Sequence, residues 1–136
     1  MGHRLFFNTV QRAMLDSAHK NASQKLAQHG FEIPPFAYAW SKDGINERNN
    51  TLLVATAQSI DYAAGRASCI AVYDPWWAAT SKMQIKSLVH EMLHLYDDEI
   101  VDIAYDFEST YQNLSLAQQL RNADSLTNII VSYDVE

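Results

Sequence analysis

Cysteine is nearly missing from this chain: Cys69 stands alone among 136 residues, so no disulfide can form within it and the core must hold by burial alone. Glycine and proline are scarce, with four and three copies, which, with the apolar content of the sequence, excludes a disordered chain. No apolar run approaches the ~20 residues that span a bilayer, which excludes a transmembrane helix. Positive charge is also short. Ten basic residues against 16 acidic ones leave a net charge of −6, which repels phosphate backbones and argues against nucleic acid as a partner. The first eight residues, Met1 to Asn8, offer no h-region or small-residue cleavage site. The expectation is a chain made in the cytoplasm without a signal peptide, and either kept there, delivered as an effector, or cut from a longer protein.

What is present is a sequence 48% hydrophobic and 19% charged, the composition of one soluble domain over residues 1–136. A chain of this size buries roughly two-thirds of its unfolded surface, enough for one core. All glycines and prolines fall in the first 75 residues. Within that part Val10, Met14, Ala18, Ala22 and Leu26 recur every fourth residue ahead of Gly30, predicting a helix over about 9–28. Three runs, 36–40, 51–56 and 67–73, are rich in β-branched and aromatic residues and are separated by turns at Lys42-Asp-Gly44 and Ala64-Gly65. They predict a small mixed sheet. Trp76-Trp77 reads as core or cleft wall.

Beyond Pro75 the period becomes helical. Ser81-Lys-Met-Gln84 fits a capping box, and Ile85, Leu88, Val89, Met92, Leu93 and Tyr96 form an apolar face, predicting a helix over about 82–96. Two or three further helices are expected after it. The fold class expected is α+β: an N-terminal helix, a small mixed sheet, and helices to the end.

His90-Glu91-Met92-Leu93-His94 lies in the predicted 82–96 helix. Four residues make about 400° of helical rotation, so both imidazoles leave one face and can close on a single ion. Glu91, about 100° around, suits a water beside the ion and hence a general base. No histidine follows His94, so the third ligand should be a carboxylate from Asp97, Asp98, Glu99, Asp102, Asp106 or Glu108. An unbroken helix would carry Asp102 about 12 Å along the axis from His94, so the chain must turn back near Asp97-Asp98. With that turn Asp102 has room to return, and it is the favoured ligand. Two imidazoles and a carboxylate point to Zn2+.

These residues resemble the aspzincins, the deuterolysins and lysine-specific metalloendopeptidases. Asp102-Ile-Ala-Tyr105 is similar to the family's Asp-x-x-Tyr core, Asn122-Ala-Asp-Ser125 to its later Asn-Ala-Asp-Ser element, and Ile70 to Trp77 to its edge strand and aromatic turn. The resemblance covers about residues 67–132. It implies a zincin-like fold, His90, His94 and Asp102 as zinc ligands, Glu91 as general base and Tyr105 as the hydroxyl that steadies the oxyanion. It further implies a role for Asp124 in a pocket for a basic side chain, although Thr127 replaces the second acid of that pocket and Ile100-Val101 replaces the family's Gly-Thr.

The function expected is a zinc-dependent endopeptidase acting on a peptide or protein substrate. Seven acids and no Lys or Arg lie between Glu91 and Glu108, which favours basic residues near the scissile bond. Ile70 and Val72 are candidate substrate-binding residues, through pairing of an extended peptide along the edge of their strand. Further partners of so small an enzyme would be a carrier, immunity or inhibitor protein. Two alternatives differ in kind: an SprT-like protease acting on DNA-bound proteins, which expects a third histidine and a basic surface, and a non-catalytic zincin-like binding or inhibitor module.

Overall fold

The computed structural model describes residues 4–58 and 68–132; His3, Ala67 and the turn expected at Ala64-Gly65 lie outside them. The element order is β1 (Arg4–Leu5), α1 (Thr9–Gln28), β2 (Ala37–Ser41), β3 (Ile45–Asn46), β4 (Thr51–Leu52), β5 (Ala55–Gln58), β6 (Cys69–Tyr73), α2 (Asp74–Ala78), α3 (Ser81–Tyr96), a 3₁₀ turn (Ser109–Asn113), α4 (Leu116–Gln119) and α5 (Ala123–Ser132). The architecture is α+β, with an N-terminal helix, a small mixed sheet and C-terminal helices. Among the described residues no helix is long and apolar enough to cross a membrane.

α1 begins at a capping box, in which Asn8 and Gln11 each accept the other's backbone N–H. It ends at Gly30, whose φ of +84° suits a residue without Cβ. The N–H of Phe31 donates to Leu26 at 2.9 Å and that of Gly30 to Ala27 at 3.1 Å, a Schellman closure. The buried stripe is Leu15, Ala18, Ala22 and Leu26, not the strict fourth-residue series from Val10. Each step of four overshoots a full turn by about 40°, so five such residues cannot share one face.

The main sheet runs β1-β2-β6-β5, with β2 parallel to β6 and the other two pairings antiparallel. This corrects the expectation for Ile70 and Val72. Their strand is internal, paired on both sides, and both side chains are 0% exposed, so neither backbone nor side chain is free for a substrate. Among the described residues the outer strand on that side is β5. A separate hairpin, β3-β4, turns through residues 47–50, with Asn50 at a φ of 55°. Its base is tight: a Cβ on Gly44 would meet the Tyr73 ring at 2.8 Å.

α3 occupies the centre, packed against α1, α5 and β5. Leu88, Val89, Met92 and Leu93 are fully buried, together with Trp76, Ile70, Val72 and Leu26. The helix is capped by Thr80, whose hydroxyl accepts the Met83 N–H at 3.2 Å, rather than by the expected Ser81-Gln84 box. Gln84 is drawn inward instead, and its amide donates to the Trp76 carbonyl at 3.0 Å. After Tyr96, where two or three helices are expected, stand the 3₁₀ turn, the single turn of α4, and α5.

Candidate metal centre

Three pieces of chain meet at the histidines: α3, the segment returning from its end, and α5. His90 and His94 leave the same face of α3 with their Nε2 atoms 3.2 Å apart. α3 stops because Asp97 is extended, with φ −152°, and its carboxylate accepts the Glu99 N–H at 2.9 Å, an aspartate-built turn. The chain doubles back through buried Ile100 and pairs Val101 with the residues before α5. The N–H of Val101 donates to Arg121 at 2.9 Å, and that of Ala123 to Val101 at 3.0 Å. This reversal sets Asp102 Oδ1 at 3.0 Å from His90 Nε2 and 3.1 Å from His94 Nε2.

The other nitrogen of each ring is committed elsewhere. A carbonyl can only accept, so His94 Nδ1 carries the hydrogen it donates to Ile100 at 2.9 Å. His90 Nδ1 donates to Asp124 Oδ1 at 2.6 Å. With neutral rings, two Nε2 lone pairs and a carboxylate oxygen then face one another across 3.0–3.2 Å. Three acceptors so placed repel unless a proton or a cation lies among them. Ligands held at about 2.0–2.2 Å by a tetrahedral zinc lie about 3.3–3.6 Å from one another, a few tenths of an ångström wider than the spacing here. The donor set therefore fits a zinc ion with one position left for water.

Glu91 is the rival third ligand, since one donor atom each of His90, Glu91 and His94 lies within 4.8 Å of the others. Asp102 closes the tighter triangle. Glu91 Oε2 stands 3.8 Å from His90 Nε2, set back from that triangle.

Electrostatics follow from burial and these contacts. Burial raises the pKa of Glu91, only partly opposed by the two histidines and the Ala57 N–H. Burial alone would lower His90 and His94, but the surrounding carboxylates outweigh it and leave both raised. Burial would likewise raise Asp102 and Asp124, but hydrogen bonds and charge from the histidines hold both below the ordinary range. Tyr105 is raised by burial and by the Asp102 carboxylate, so it keeps its phenolic proton at neutral pH.

Tyr105 lies in irregular chain, its hydroxyl 3.2 Å from Asp102 Oδ2. Asp124 is corrected from its expected role. It is buried in the cleft wall, with one oxygen on His90 Nδ1 and the other accepting the Asp106 N–H at 2.8 Å, a geometry that orients an imidazole rather than receiving a basic side chain. Thr127, at the other position of that pocket, is 0% exposed. Spacing did not single out Asn46 and Arg48, which reach the site from the hairpin, because Asn46-Glu-Arg-Asn-Asn50 reads only as a turn. Asn122 did carry a signal, in Asn122-Ala-Asp-Ser125. Fully buried, it accepts the Ala104 N–H at 3.0 Å and donates to the Ala104 carbonyl at 2.8 Å, pinning the returning segment.

A cleft of about 670 Å³ passes over the triangle, between β4-β5 on one side and α3 with the returning segment on the other. Leu52, Met83, Val101 and Phe107 line it while remaining 61%, 50%, 38% and 66% exposed. No family model, curated protein or solved structure matches the chain.

Proposed function

We propose that the chain is a zinc-dependent endopeptidase of aspzincin-like design, with His90, His94 and Asp102 as ligands. The observation that carries this reading is the triangle of three acceptor atoms 3.0–3.2 Å apart with the Glu91 carboxylate beside it. Zinc bound there would supply Lewis acidity at the scissile carbonyl and a water that ionises near neutral pH. Glu91, its pKa raised by burial, takes a proton at its carboxylate and passes it to the leaving amine. Tyr105 retains its phenolic hydrogen and donates it to the developing negative charge. Asp124 and the Ile100 carbonyl hold the two imidazoles with their Nε2 lone pairs toward the cleft.

The cleft wall argues for apolar rather than basic side chains near the scissile bond. Of the acids between Glu91 and Glu108, Asp106 is paired with Lys86 at 2.7 Å and Glu108 with Arg48 at 2.6 Å. Glu91 and Asp102 belong to the site itself. Asp97, Asp98 and Glu99 stay exposed at the end of α3, with Asp98 in the cleft wall, so the charge expected to attract a basic substrate is spent around the triangle itself, while four large hydrophobics remain exposed along the cleft.

Glu91→Gln tests the assignment. Hydrolysis of a peptide library should fall by 10²-fold or more, in line with loss of a general base, while zinc content measured by elemental analysis stays at one per chain. Chelator should silence the wild type equally. Surviving activity in Glu91→Gln, or activity indifferent to chelator, removes the proposal.

A further inference from the structure

The side chain of Arg48 spends its hydrogen bonds on one short segment. Its Nη1 donates to the Asp102 carbonyl at 2.6 Å and its Nη2 to the Ile103 carbonyl at 2.9 Å. Nη2 and Nε also grip the two oxygens of Glu108 at 2.6 and 3.2 Å. The guanidinium carbon lies 4.9 Å over the ring of Tyr105, within cation–π reach. Glu108 in turn accepts the Tyr105 N–H at 2.8 Å. A single planar fork thus holds the backbone of Asp102, the ring of Tyr105 and the carboxylate under both.

Asn46, two residues earlier, settles the direction of the hydrogens. Its Oδ1 accepts the Arg48 N–H at 3.0 Å, so its amide nitrogen is the atom facing Tyr105, donating to the phenol oxygen at 3.2 Å. With no substrate present the phenol sends its own hydrogen to Asp102 Oδ2, from which it turns about its C–O bond to reach a developing oxyanion. From the opposite side the segment is pinned by Asn122 through Ala104.

As a salt bridge, Arg48–Glu108 is partly exposed, 39% and 23% for the two side chains. Pairs so exposed contribute little to stability, too little to explain so many bonds aimed at one segment. We propose that Arg48, assisted by Asn46, is a positioning residue that clamps the Asp102–Tyr105 segment against His90 and His94 without touching metal or substrate. This rests on the metal-centre reading above. It makes the hairpin, which sits outside the main sheet, a working part of the centre.

The test is zinc affinity of the full chain, measured by competition with a chromogenic chelator, alongside the thermal midpoint of each metal-free protein. Partners that orient ligands typically hold about 10–100-fold in metal affinity. Arg48→Ala should weaken zinc binding by that much while shifting the metal-free midpoint little. Arg48→Lys, which keeps charge and most bulk, should recover only a small part, because one ammonium cannot bridge two carbonyls and a carboxylate; it also serves if Arg48→Ala fails to fold. Arg12→Ala, an exposed change on α1, should leave affinity unchanged. Wild-type affinity in Arg48→Ala, or full recovery in Arg48→Lys, overturns the inference alone. A wild-type chain that takes up no zinc overturns the metal-centre reading and this one with it.

Discussion

Asp124 acts on the candidate centre through one short contact, 2.6 Å to His90 Nδ1, and thereby fixes which nitrogen would present a lone pair to the proposed ion. Asp124→Asn preserves shape but replaces a charged acceptor with a neutral amide. Its expected effect is a zinc dissociation constant raised by about 10-fold, read by chelator competition. An unchanged constant would reduce Asp124 to a support for the Asp106 N–H. At this scale much of the centre was legible. His90, Glu91 and His94 declare themselves by spacing on a helix, and Asp102 by the reach of a chain that has no later histidine. Arg48 was not legible, because its proposed role depends on a guanidinium meeting main-chain carbonyls 54 and 55 residues away, and carbonyls leave no trace in a sequence.

Among elements, α1 and α3 were legible to within a residue at each end, since both carry long apolar periods and clear boundaries. The segment after Tyr96 was legible in its reversal at Asp97-Asp98 but not in the irregular chain that follows. It lacks Gly and Pro yet abandons the helix, because the Asp97 carboxylate captures a backbone N–H and the Asn122 amide offers Ala104 a substitute for helical pairing. The placement of β6 was misread for a related reason: alternation of buried residues looks alike in an edge strand and an internal one. With β6 interior, the exposed apolar walls of the cleft are the elements that would meet the proposed peptide substrate. Leu52→Asp on β4 and Phe107→Asp on the returning segment should each raise KM for peptides with large apolar side chains by about 10-fold, the scale of burying one such side chain. kcat should move much less, and zinc content not at all. A selective loss on basic peptides instead would restore the charge-based reading.

For the whole molecule, the metal-free and zinc-bound proteins should respond oppositely to pH. In the metal-free protein His90 and His94 have folded pKa values above their ordinary 6.5. Their contribution is therefore complete below 6.5 and lost as pH rises through the folded values. Asp102 and Asp124 lie below their ordinary 3.8, so theirs is present above 3.8 and lost as pH falls. Metal-free protein should thus be most stable between these limits, near pH 5. Zinc requires unprotonated imidazoles, so its stabilisation should grow from pH 5.5 to 7.5, reaching about 2.7 kcal/mol when free zinc is 100 times the dissociation constant. Calorimetry of both forms across that range checks the divergence; a zinc increment flat with pH would contradict histidine ligation.

The pairing of Val101 with the Arg121–Ala123 backbone has a consequence for how the chain tolerates change. It ties off residues 102–121 at their base, and the 3₁₀ turn and α4 within that excursion bury no residue. Chain length at Leu114-Ser115 is therefore uncoupled from the centre. Insertions there lengthen a peninsula whose neck stays closed, so the most exposed part of the C-terminal half is also its natural splice point for foreign sequence.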